Sequence, residues 1–158
     1  GPAEIIVKMR SINSHIGAWA PMAEQKAVAR YLVKSGIIDT YFAGFKTEII
    51  ERLQKIYTGL QKMKTEGLHV DAITPQAAIY LTIQIDYAGK TTNDGKLLAS
   101  QADVTAYILD EAKLAIVPFY CFGSGRESSW YRLSVGTCKK EEIDEMLGAL
   151  KNALQKLS

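Results

Sequence analysis

Cysteine and histidine are almost absent from this chain. Its two cysteines, Cys121 and Cys138, stand far apart and share no metal-ligand spacing, so they read as free thiols in a reducing compartment. His15 and His69 are single and distant, with no acidic or cysteine partner at ligand spacing, which argues against a metal site. Charge of one sign is missing as well. Nineteen basic residues against 17 acidic ones leave a formal net charge of +2, too balanced to argue for nucleic acid or a membrane surface as partner. No apolar run is long enough to cross a bilayer and no signal-peptide pattern opens the chain, so a cytoplasmic protein is expected. There is no internal repeat, linker or low-complexity stretch.

Catalytic motifs are equally scarce. Asp86-Tyr87-Ala88-Gly89-Lys90-Thr91 ends like a phosphate-binding loop, but the glycine required five residues before Gly89 is Gln84; the backbone cradle is missing and a polar hairpin-like loop is expected. Gly123-Ser124-Gly125 has the flexibility to hold an anion on its amides, yet no helix clearly starts there, and it reads as a loop tip. Nothing resembles a nucleophile elbow.

What is present is an ordinary globular composition. The chain has 158 residues, 47% of them hydrophobic and 23% charged, the size of one domain burying roughly 70% of its unfolded surface. Ile5, Ile6, Met9 and Ile12 recur at helical spacing between Ala3 and Ser14. A break over Ile16 to Pro21 contains Trp19. A second helix runs from Pro21 to about Val33, with Ala23, Ala27 and Tyr31 expected inward, and Ser35-Gly36 ends it. Ile38, Phe42, Phe45, Ile49, Leu53, Ile56, Leu60 and Met63 then recur with gaps of three and four, which predicts one long helix stopped by Gly67. Gly44 and Gly59 inside it count against a coiled coil.

The period then changes. Ile79, Leu81, Ile83 and Ile85 alternate with Tyr80, Thr82 and Gln84, predicting a half-buried strand over Ala78 to Asp86. A helix is expected in the later part of Lys96 to Lys113, with Val104, Tyr107, Ile108 and Ala112 inward. Leu114 to Val117, ended by Pro118, and Tyr131 to Gly136 are the second and third predicted strands. On the third, Tyr131, Leu133 and Val135 share one face and Trp130, Arg132 and Ser134 the other. The last helix carries Ile143, Met146, Leu147, Leu150, Leu154 and Leu157, with Glu141 and Glu142 in its first turn and Lys151 and Lys156 near its end, placements that suit the helix dipole.

Arg132 is the strongest candidate for binding chemistry. A planar guanidinium on a strand, beside an aromatic residue and a few residues after a Phe122-Gly123 turn, is placed to grip a carboxylate through two parallel hydrogen bonds. The alternative is a solvated charge on an open strand face.

Several segments, in order, resemble the C-terminal part of the class I/II aminotransferases, the aspartate-aminotransferase-like group of fold-type I pyridoxal-phosphate enzymes. Gly1-Pro2-Ala3-Glu4-Ile5-Ile6 resembles the family's Gly-Pro-x-Glu-hydrophobic helix, which favours Gly1-Pro2 being native over its being a tag scar. Thr74-Pro75-Gln76-Ala77-Ala78-Ile79-Tyr80 resembles the Pro-x-Gly-Ala-Phe-Tyr strand entry. Leu109 to Pro118 resembles the segment of leucine, acidic pair, alanine, apolar strand and proline. Phe122-Gly123, Tyr131-Arg132-Leu133-Ser134 and Glu141-Glu142-Ile143 complete the series. Ala77 in place of Gly, Ile79 in place of Phe and Phe119 in place of the Gly after the proline are departures that leave substrate specificity open.

The resemblance implies an α+β fold: a small, largely antiparallel sheet of about three to four strands covered by helices, with one long spine helix. Residues 1–36 would be a helical segment bridging from a missing cofactor domain and residues 37–158 the small domain. Arg132 would hold the substrate α-carboxylate, and Phe122, Gly123 and Tyr80 would line the pocket wall. His15, Gly17 and Trp19 would lie near a homodimer contact, although Ile16-Gly17-Ala18-Trp19 lacks the usual Ser/Thr-rich character. The parent would transfer an amino group between an amino acid and a 2-oxo acid with pyridoxal 5'-phosphate. The lysine that bonds the cofactor would lie upstream of Gly1, so no catalytic residue is expected in this chain and the fragment alone should be inactive. Thr137-Cys138-Lys139-Lys140 matches Ser/Thr-x-x-Lys only formally. Two alternatives stay open: a free-standing α+β regulatory or ligand-binding module, and a different fold-type I enzyme such as a lyase or synthase.

Overall fold

The structure is a computed structural model, and it describes residues 1–17, 20–136 and 138–158. The chain divides into two compact units, Gly1–Phe45 and Lys46–Ser158.

The first unit is helical. Helix α1 spans Ala3–Ile16 and α2 Met22–Leu32. Each is preceded by a proline, Pro2 and Pro21, whose fixed φ and missing N–H suit a helix start. Gly17, at φ 81°, ends α1 in the left-handed conformation that glycine adopts without a Cβ clash. Neither helix buries a residue. Ala23, Ala27 and Tyr31, expected inward, are exposed, as are Ile5, Met9 and Ile12. Helical spacing of apolar residues defines a face, but it does not supply the surface that covers it.

The second unit has a core. The long helix α3, Ser35–Thr65, brings Ile49, Leu53, Ile56, Leu60 and Met63 into it, a stripe at spacings of four and three that stays on one side of the helix. Gly59 belongs to that packing, because a Cβ there would collide with the Leu147 side chain. Its cost in helix propensity is set against a close approach to the last helix, α5, Ile143–Gln155. Gly67, at φ 91°, follows the end of α3 as expected.

Four strands form one antiparallel sheet: β1 Val70–Ala72, β2 Tyr80–Ile85, β3 Val117–Pro118 and β4 Trp130–Ser134, in the order β1-β2-β4-β3. β1 has three residues, too few to show a period of two, and no strand was expected there. The second expected strand, Leu114 to Val117, contracts to Val117–Pro118, with Ile116 already buried before it. Both edges are blunted against further pairing. On β1, Asp71 Oδ1 accepts from the Ala72 N–H at 2.8 Å, and Gln61 Nε2 donates to the Ala72 carbonyl at 3.2 Å. On β3, Pro118 offers no N–H.

Helix α4, Gln101–Ala112, opens on a reciprocal cap: the Asp103 N–H donates to Ser100 Oγ at 3.3 Å and the Ser100 N–H to Asp103 Oδ2 at 2.9 Å. The segment resembling a phosphate loop is hairpin-like. Gly89 N–H donates to the Leu98 carbonyl at 2.7 Å and Leu98 N–H to that of Lys90 at 2.8 Å. Glu141 and Glu142 occupy a 3₁₀ turn, Lys140–Glu142, immediately before α5.

Leu81, Ile83 and Ile85 of β2 and Tyr131 and Leu133 of β4 merge with the apolar faces of α3, α4 and α5 into a single core. One polar cluster is sealed inside it. The Tyr131 hydroxyl accepts from Gln101 Nε2 at 2.5 Å and Thr105 Oγ1 at 3.3 Å, while Gln101 Nε2 also donates to the Ile85 carbonyl at 2.9 Å. Burial pushes the Tyr131 phenol above its ordinary value. The architecture is α+β with a four-stranded antiparallel sheet and one long helix, as the sequence implied.

Candidate functional site: an arginine on the open face of the sheet

Alternation on β2 and β4 leaves the second sheet face to exposed Tyr80 and Ser134 and half-exposed Thr82, Gln84, Trp130 and Arg132. In register, Arg132 is opposite Thr82 on one side and Val117 of β3 on the other. Tyr80, paired with Ser134, is therefore a diagonal neighbour of Arg132, within reach of a long side chain. The Arg132 guanidinium carbon lies over the Tyr80 ring, 4.8 Å from its centroid.

The other flank comes from the turn after β3. Phe119–Phe122 forms a 3₁₀ turn closed by Gly123, at φ 96°, so the expected Phe122-Gly123 turn is a capped helical one. It places the Phe122 ring 4.0 Å from the guanidinium carbon. Phe119 meets Phe122 edge to face, with centroids 6.4 Å apart. Both contacts to Arg132 are within cation–π range. None of the ion pairs among the described residues involves Arg132. The guanidinium is thus neither in a buried ion pair nor on the core side of the sheet.

Tyr80, Phe122, Gly123 and Arg132 are brought together. His15 and Gly17 belong to the first unit, where His15 Nδ1 lies 2.8 Å from the Ser11 carbonyl oxygen; Trp19 lies outside the described residues. In the sequence Phe119 stands out only as the residue in place of a glycine after Pro118; its contact with Phe122 depends on the turn. Cys121 and Cys138 are free thiols. Burial raises the Cys138 thiol above its usual value, and its Sγ lies 3.6 Å from the Val135 carbonyl oxygen. No group of residues able to hold a metal ion occurs among those described.

An amine that forms a covalent bond with an aldehyde cofactor works best with a depressed pKa. Two lysines show shifts, and both go the other way: Lys140 Nζ donates to Glu51 and Lys156 Nζ to Glu111, and each hydrogen bond raises its lysine above the ordinary value. Lys139, which precedes Lys140 in the Ser/Thr-x-x-Lys look-alike, pairs with Glu142 at 3.2 Å; Thr137 lies outside the described residues. These three lysines are held in surface ion pairs with carboxylates.

A sequence model of the family described as aminotransferase class I and II matches residues 1–150. An aspartate aminotransferase of Rhizobium meliloti strain 1021 is 30% identical over 160 residues, which cover 100% of this chain and 36% of the relative. A probable aspartate/prephenate aminotransferase of Rickettsia felis is 32% identical over 91 residues, 57% of this chain and 21% of the relative. Among solved structures, the aspartate aminotransferase of Rhizobium meliloti matches all of the chain with 37% of its own, at a TM-score of 0.71 and 25% identity. An aromatic aminotransferase of Pyrococcus horikoshii OT3 matches 98% of the chain with 37% of its own, at a TM-score of 0.69; its 21% identity makes this a likeness of fold. The chain spans between a fifth and just over a third of the length of these relatives.

Proposed function

The chain belongs to the class I and II aminotransferase family, and on that premise we propose that its second unit is the part of a pyridoxal-phosphate-dependent aminotransferase that grips the substrate's carboxylate through Arg132. The observation that carries this reading is a half-exposed guanidinium with no ion-pair partner among the described residues, steadied by two rings on the open face of the sheet. A free guanidinium fork accepts a carboxylate with two parallel charge-assisted hydrogen bonds, worth roughly 1.5–3 kcal/mol. Residues 1–36 act as the helical segment leading from the cofactor-bearing part of the parent, and residues 37–158 as the small domain. Tyr80, Phe122 and Gly123 form the pocket wall. His15 and Gly17 approach a second copy in a homodimer.

The parent's reaction is amino-group transfer between an amino acid and a 2-oxo acid. The names of the relatives favour an acidic amino acid as donor. Pyridoxal phosphate, when bound in the parent, supplies the electron-withdrawing ring for that chemistry. This chain contributes recognition and orientation of the acid, and its lysines carry none of the covalent chemistry.

Two measurements on the 158-residue chain test the reading. NMR titration with 2-oxoglutarate should perturb Arg132 and its strand neighbours, and Arg132→Lys should weaken binding about tenfold or more, because an ammonium cannot reproduce the bidentate fork. Incubation with pyridoxal phosphate followed by borohydride reduction should give no stoichiometric label on any one lysine. Unchanged acid binding in Arg132→Lys defeats the carboxylate role, and one fully labelled lysine defeats the division of labour.

A further inference from the structure

We infer that Phe122 and Tyr80 are positioning residues which hold the Arg132 guanidinium in place before any acid arrives. The inference deepens the carboxylate reading above and rests on it. An arginine side chain has many rotamers to lose when it is ordered. A binding site that leaves it free must recover that entropy from the ligand's own contacts. One that orders it beforehand does not.

The strand order explains how two rings reach one guanidinium. β4 lies between β2 and β3. Tyr80 therefore reaches Arg132 diagonally from β2, while Phe122 arrives from the turn that follows β3. Both rings are over the guanidinium carbon, at 4.8 and 4.0 Å. A cation packed against ring faces keeps its hydrogens at the perimeter, free for an in-plane acceptor. The charge is attracted to the rings' negative faces without losing its donors, unlike an arginine neutralised by a neighbouring carboxylate.

Phe122 has its own support. Phe119, three residues earlier in the same turn, meets its ring at an interplanar angle of 90°. Gly123 terminates the turn at φ 96°, a conformation that side-chain-bearing residues rarely adopt. Its N–H donates back to the Tyr120 carbonyl at 3.3 Å. The contact to Arg132 thus sits on a closed turn and not on a loose loop tip.

The rings also stand outside the buried core. Phe122 is 53% exposed and Tyr80 43%. Substituting them should therefore report on Arg132 rather than on stability. A merely structural aromatic would be replaceable by any apolar residue of similar volume; a clamp requires a ring.

The test is NMR on the full 158-residue chain, with and without 2-oxoglutarate. In the free chain, the Arg132 side-chain protons should be displaced upfield by the ring currents of Phe122 and Tyr80. Phe122→Leu should remove most of that displacement and raise the Kd for 2-oxoglutarate about three- to tenfold. Tyr80→Leu should act in the same direction and more weakly, in keeping with the longer distance. Phe122→Tyr, which keeps the ring, should restore both the displacement and the affinity. Amide spectra remote from β4 should stay unchanged in all three variants. Undisplaced Arg132 protons overturn the inference, as does an unaltered Kd in Phe122→Leu after the displacement is lost. If Arg132→Lys leaves acid binding untouched while the free chain still shows the displacement, the carboxylate reading has failed and the ring contact has not.

Discussion

The two units of this chain carry similar apolar patterning and fold to different ends. Ile5, Met9 and Ile12 of α1 recur at helical spacing much as Ile49, Leu53 and Ile56 of α3 do. The first set is exposed and the second buried. The difference lies in what each helix faces. The α3 stripe meets the inner face of the sheet together with α4 and α5, while the helices of the first unit have no buried residue between them. Amphipathic spacing is a statement about a helix's own surface, and burial needs a second surface to meet it. Exposed apolar residues in such number mark a face suited to further contact.

A matched pair of substitutions would break this comparison if it is wrong. Ile56→Ala removes a fully buried side chain and should cost about 2–5 kcal/mol. Ile12→Ala, at a position 58% exposed, should change stability by less than about 0.5 kcal/mol. Urea midpoints of the two variants against the parent chain give both numbers. Comparable losses would mean that the first unit's face is covered after all.

The second unit also differs in having polar chemistry sealed in its core. Tyr131→Phe deletes the hydroxyl that accepts from Gln101 and Thr105. It should cost about 1–2 kcal/mol, because Gln101 Nε2 keeps only the Ile85 carbonyl and its Oε1 already has no partner. Thermal unfolding of this variant sharpens the comparison: a neutral result would reduce the core to its apolar contacts.

The smallest expected effect is electrostatic. Hydrogen bonds from Lys64 and then Gln61 lower Asp71, one from Lys151 lowers Glu66, and one from Ser100 lowers Asp103. Carboxylates lowered in the folded state stabilise it fully above the unfolded range, near 4, and lose that contribution as the pH falls through their folded values. The urea midpoint should therefore hold steady from pH 7 to 5 and decline below about 4. Asp71→Asn should flatten part of that decline. All three groups are at the surface, so the slope should be shallow and salt-sensitive; an unchanged slope in Asp71→Asn would remove this carboxylate from the account.

Much of the second unit was legible in the residues themselves. Alternation at Ile79 to Ile85 identified β2 and assigned its faces correctly. The spacing from Ile49 to Met63 gave the buried side of α3, and the pattern from Ile143 to Leu154 gave α5. Val70–Ala72 was invisible as a strand because three residues carry no period, and its pairing with β2 comes from partners far along the chain. The 3₁₀ turn at Phe119–Phe122 was legible only as a glycine-terminated bend. Arg132 stood out because its residue type and its strand face were both readable. Its aromatic neighbours were not readable as contacts: Tyr80 lies 52 positions before it, and only strand register sets them diagonally apart.

The sequence by itself determined which faces of each element are apolar, where the long helix stops and which single cation stands on the open side of its strand. Those properties are local: backbone periodicity and the conformational limits of glycine and proline act within a few residues. Only the tertiary structure decided which apolar faces are covered and which rings meet the guanidinium. Both depend on strand order and helix packing, which bring together residues that no local rule connects.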